Sequence, residues 1–148
     1  MDIDVSDPKK PDKHLPRTKE EALTLLEGFA LKPSYTLSSG NGVHAYWALG
    51  EEIVIETEEQ RKEAQELVRA FYRGFGAFAS PYEFDATHDL SRMLRFPGSL
   101  NFKDTANPKV VEFLTENPER IYTVKEIQDA GIEKADTHPR ESLSLIHI

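Results

Sequence analysis

Three short stretches of this chain carry side chains whose types and spacing could do chemistry. Asp2 and Asp4 stand two apart in the opening Asp-Ile-Asp, so on a strand both carboxylates share one face. Carboxylates held close together repel unless a cation sits between them. Mg2+ suits such a pair, because it takes one or two protein carboxylates and completes its shell with water and phosphate. The second stretch is Ser39-Gly40-Asn41-Gly42-Val43-His44. Its turn can gather backbone N–H groups into an anion-binding concavity, and His44 beside it could donate a hydrogen bond to a phosphate oxygen. His14 and His88 lie in unrelated segments, so His44 has no zinc partners at ligand spacing. The third stretch runs from Phe84 to Lys103. It holds Asp85 and Asp89 as acids for a cation, and Arg92, Arg95 and Lys103 as bases for phosphates. Alone, each signal is a common surface feature. Together, and in this order, they describe a site for a metal–triphosphate.

The elements that must position these residues follow from periodicity and capping. Thr18 and Glu21 have capping-box spacing ahead of a helix whose buried face is Ala22, Leu25, Leu26 and Phe29, with Gly28 placed as a left-handed closing residue. Ser34 to Ser38 and Val43 to Leu49 read as two strands joined by the Ser-Gly-Asn-Gly turn, a hairpin. Thr57 and Gln60 open a second helix that buries Ala64, Leu67, Val68, Phe71 and Phe75. Tyr82 to Asp85 is predicted as a short strand, and Asp89 to Arg95 as a helical turn or two ended by Pro97-Gly98. Lys109 to Leu114 is predicted as a strand. Thr123 and Glu126 cap a last short helix that stops at Gly131. The predicted fold class is α+β, with a mixed or antiparallel sheet and flanking helices.

In this order the motifs resemble those of the archaeo-eukaryotic primase superfamily, in particular the primase-polymerase domains of plasmid and phage replication proteins. That family carries an acid-x-acid motif, a small-Gly-x-Gly-x-His motif and a hydrophobic-Asp motif. In the plasmid and phage branch an Arg-x-x-Arg-x-Pro-Gly-x-x-Asn-x-Lys stretch follows, matched here by Arg92 to Lys103. The resemblance covers roughly residues 1 to 115 and implies an RRM-like primase catalytic core. It implies that Asp2, Asp4 and Asp85 are metal ligands, with Asp89 as the rival of Asp85. It gives His44 contact with the triphosphate of the incoming nucleotide. Ser39, Gly40, Gly42, Arg92, Arg95 and Lys103 become nucleotide-binding positions, and Asp2, Asp4, His44 and Asp85 the catalytic set. The implied activity is that of a DNA-directed nucleotidyltransferase, a primase or polymerase. It works with Mg2+ or Mn2+ on nucleoside triphosphates and a DNA template, alongside a helicase domain or protein.

By this reading residues 1–131 form the catalytic core, incomplete at its N-terminus, and 132–142 form a tail. Leu143 to Ile148 back-translate to a transposase mosaic-end adapter and are expected to be sequencing read-through, which leaves the chain truncated at both ends. The 148 residues suffice for one domain with a core, and the absence of cysteine excludes disulfides and thiolate chemistry. No run approaches a membrane span, so a soluble cytoplasmic protein without membrane contact is expected. The net charge of −8 argues against a general polyanion-binding surface, so any DNA contact must be local. Two other functions use the same residues. A metal-dependent phosphohydrolase or nuclease would employ the carboxylates with water as nucleophile. A non-catalytic replication-initiator module would bind DNA and keep the sheet as scaffold.

Overall fold

The computed structural model describes residues 1–84, 90 and 94–132. Its centre is a four-stranded sheet built from β1 (Asp2–Asp4), β2 (Tyr35–Ser38), β3 (Gly42–Tyr46) and β7 (Glu112–Glu116), in the order β1-β3-β2-β7. Every pairing in it is antiparallel. The predicted hairpin is β2–β3, with Ser38 opposite Val43 and the small-residue turn between them. Two small pairs accompany this sheet: β4 (Ala48–Leu49) runs parallel to β8 (Ile121–Tyr122), and β5 (Leu100–Asn101) antiparallel to β6 (Lys109–Val110). The fold is therefore α+β.

Alternation sets the two faces of the sheet. Ile3, Val43 and Ala45 point one way and are fully buried against Ala22 and Leu26 of α1 (Lys19–Gly28) and Phe71 and Phe75 of α2 (Glu58–Ala79). Each of the larger side chains among them contributes about 1.5–3 kcal/mol by leaving water, and each alanine methyl roughly 0.8 kcal/mol. Phe29, just past α1, meets Phe71 and Phe75 edge-on, with ring centroids 5.7 and 5.1 Å apart. Ile127 of α3 (Val124–Ala130) closes the same core. Asp2, His44 and Tyr46 alternate onto the opposite face, away from these helices.

The capping boxes predicted at Thr57 and Thr123 both form. At Thr18 only half of one does: its hydroxyl accepts from the Glu21 N–H, while the Glu21 carboxylate turns to the Tyr82 hydroxyl and the Arg17 N–H. Gly28 is not left-handed; α1 closes on extended Phe29, whose N–H returns to Leu26. The α2 face is as expected for Ala64, Phe71 and Phe75, whereas Leu67 and Val68 are only half-buried. Tyr82 to Phe84 form no strand, because the Tyr82 and Glu83 N–H groups bond to Ala79 and His14 instead of a neighbouring strand. Lys109 to Leu114 is not one strand but two. Val111 breaks it, fully buried and hydrogen-bonded through its N–H to Ser99 and its carbonyl to Gly98.

Candidate functional site

The register of β1 on β3 brings the first two motifs together. Asp2 lies opposite His44, and Asp4 opposite Gly42 at the mouth of the turn. Among the described residues β1 pairs with β3 alone and forms one edge of the sheet. Asp2 Oδ1 is 3.4 Å from His44 Nε2, an ion pair whenever the imidazole is protonated. Asp2 keeps part of its surface in contact with solvent and Asp4 is exposed. His44 is only 5% exposed, and its Nδ1 is buried with no hydrogen-bond partner among the described residues, which is uncommon for a buried polar atom. Two positions along β3 from His44 and on the same face, the Tyr46 phenol is pushed above its ordinary range, first by burial and then by the negative charge of Asp2.

Among the described residues no group of three acidic, histidine or cysteine side chains could hold a metal by itself. Two hard oxygen donors on one face nevertheless fit Mg2+ or Mn2+, because Mg2+ keeps several waters and binds through one or two carboxylates plus substrate phosphate. Asp85 and its rival Asp89 lie outside the described residues, as does Arg92. Phe84, which precedes Asp85, is anchored on Phe75 of α2 at a ring-centroid distance of 5.1 Å.

Both glycines of the turn are required by their surroundings. Gly40 has φ +106°, and a Cβ there would lie 2.7 Å from the Asn101 amide nitrogen. A Cβ on Gly42 would lie 2.5 Å from the Ile3 carbonyl oxygen, so only glycine lets β1 approach β3 here. Ser39 is buried, its N–H donates to the Gly42 carbonyl, and its own carbonyl accepts from Asn101. The Ser39 amide is thus engaged within the turn, and an anion there would have to be met by other donors. One side-chain donor lies close by: Lys109 Nζ donates to Asn41 Oδ1 at 2.6 Å, while Lys103 joins Asn101 through its backbone N–H. Lys109 escaped the sequence reading, because its approach depends on a pairing across 68 residues and no local pattern announces it.

Arg95 stands elsewhere. It lines a cavity of about 620 Å³ at the Tyr46 end of the sheet, together with Tyr35, Leu37, Tyr46, Phe96 and Phe113. The basic residues expected around one phosphate chain are therefore not shown together: Arg95 lies among aromatic rings, and Lys103 joins Asn101 through its backbone N–H. Those rings alternate along their strands as ordinary sheet residues do, so the sequence alone gave no reason to single them out.

No family model matches this chain, and neither a curated protein nor a solved structure matches it. No helix among the described residues is long and apolar enough to cross a membrane.

Proposed function

We propose that this chain is the catalytic core of a DNA primase or primase-polymerase of plasmid or phage replication. It transfers nucleotides from nucleoside triphosphates onto a template-directed primer. The observation that carries the reading is the β1–β3 register, in which Asp2 faces His44 and Asp4 faces the Gly-rich turn. The acid-x-acid and small-Gly-x-Gly-x-His stretches thus stand side by side on one sheet face. The RRM-like core, the DNA template and an accompanying helicase belong to this reading through the same resemblance.

In the reaction the primer 3′-hydroxyl forms a bond to the α-phosphorus, the bond to the β-phosphate oxygen breaks, and pyrophosphate leaves with its electron pair. Asp2 and Asp4 would hold the divalent cations, which would lower the pKa of the attacking hydroxyl and offset charge on the triphosphate and the leaving pyrophosphate. His44 Nε2 carries a single N–H, which turns from Asp2 Oδ1 to a phosphate oxygen when Asp2 engages a cation. Lys109 adds positive charge where the phosphate tail meets the turn, and the resemblance assigns Lys103 to the same phosphates. Holding charge and nucleophile in place before reaction supplies most of the barrier reduction in phosphoryl chemistry.

Incorporation of a labelled nucleotide into a primed template with Mn2+ tests the proposal. Extended primer and pyrophosphate are expected, and Asp4→Ala, at an exposed position, is expected to lower the rate by about 100-fold or more without unfolding the chain. Release of inorganic phosphate without extension would support the hydrolase instead. An unchanged rate in a folded Asp4→Ala protein would overturn the assignment of the carboxylates.

A further inference from the structure

The aromatic cavity beside the carboxylates is not explained by holding a metal and a triphosphate. Its floor is continuous with the site. Asp2, His44, Leu37 and Phe113 form one cross-strand row on the face turned from the helices, through the pairs Asp2–His44, His44–Leu37 and Leu37–Phe113. Three interstrand spacings separate Asp2 from Phe113, roughly 14 Å of sheet. Tyr46 and Tyr35 pair in the adjacent row, and the Tyr35 and Phe113 rings stand 6.1 Å apart. Phe96 borders the cavity from the segment before Pro97, yet it is 78% exposed. Phe113 is 43% exposed although it sits in a central sheet. Large rings left that open beside a cavity are poorly accounted for by packing within the chain. Arg95, a flat cation, lies among them.

We infer that this cavity receives the nucleobase of the nucleoside triphosphate whose phosphates lie at Asp2, Asp4 and His44. The inference rests on the function proposed above and adds what distinguishes a nucleoside triphosphate from a bare polyphosphate: a stacking site for the base. Every base presents a flat π face, and aromatic side chains stack on it largely without regard to sequence. The cavity volume of about 620 Å³ falls in the range of small-ligand sites. Arg95 can lie over the base or hydrogen-bond its edge, since a guanidinium offers both a planar face and a fork of donors. The separation of Arg95 from the turn then has a reason: Lys109 attends the phosphate tail, and the arginine attends the base.

Calorimetric titrations of the full chain with Mn2+ test this, using a nucleoside triphosphate and inorganic tripolyphosphate as paired probes. The wild type is expected to bind the nucleoside triphosphate about tenfold more tightly, the worth of a stacked base. Phe96→Ala and Phe113→Ala are each expected to shrink that preference while leaving tripolyphosphate affinity unchanged. Phe96 is exposed enough that its removal does not threaten the fold. Equal affinity for the two probes, or a preference that survives both variants, overturns the base site and leaves the triphosphate site standing. Binding of neither probe overturns both. A preference that depends on the two rings but not on Mn2+ or His44 retains the base site and removes the primase reading.

Discussion

His44 buries a ring nitrogen with no hydrogen-bond partner among the described residues, and a group in that state costs about 1–3 kcal/mol. A histidine kept for packing is expected to behave differently under substitution from one kept for a ligand. His44→Leu removes the orphan and fills a comparable volume beside Leu37, its partner in β2. Its melting temperature is expected to equal or exceed that of the wild type, with loss of nucleoside triphosphate binding. A fall in stability of more than about 2 kcal/mol would instead make the imidazole a structural group. Single residues were the most legible part of the site: Asp2, Asp4 and His44 were chosen from type and spacing, and the register sets them within one patch. Arg95 was less legible. Its spacing to Lys103 suggested a shared task, but spacing along a chain says little once Pro97 and Gly98 redirect it.

At the scale of elements, α2 contains two glycines that test what packing demands. A Cβ on Gly74 would lie 2.3 Å from the Ala130 carbonyl oxygen, whereas a Cβ on Gly76 would meet nothing within 4 Å. Gly74→Ala is therefore expected to push α3 away from α2 and to destabilise by about 1–3 kcal/mol, as overpacking does. Gly76→Ala is expected to stabilise by up to about 1 kcal/mol, because alanine is the better helix former and nothing obstructs it. Denaturant melts of the two variants check both signs together. The helices and the hairpin were readable because caps and periodicity are local. The strand predicted at Tyr82 and the unbroken strand at Lys109 failed for the converse reason. A strand exists only through its partner, and Val111 was drawn inward by Ser99 and Gly98, distant in sequence.

For the molecule as a whole, three tyrosines hold their protons more firmly than usual: Tyr46 through burial and then Asp2, Tyr122 mainly through burial, and Tyr82 mainly through its hydrogen bond to Glu21. An acid whose folded pKa is raised favours folding equally at all pH values below its unfolded pKa of 10.0, and that stability is lost as pH rises beyond it. Stability is thus expected to fall above about pH 10, and Tyr46→Phe to lessen the fall. Urea melts between about pH 8 and 11 read this directly, and an unaltered profile in the variant would remove Tyr46 from the cause. The whole-molecule order β1-β3-β2-β7 was not readable from the sequence, since only the hairpin between β2 and β3 is local. It is nevertheless this order that gives β1 its edge and His44 its neighbour. The most direct measurement is therefore calorimetric binding of a nucleoside triphosphate to the wild type and to Asp4→Asn, with and without Mn2+. Binding that requires Mn2+ and is lost in Asp4→Asn is the expected result. Binding of equal strength with and without the metal, or an Asp4→Asn variant that binds as the wild type does, would contradict the triphosphate site.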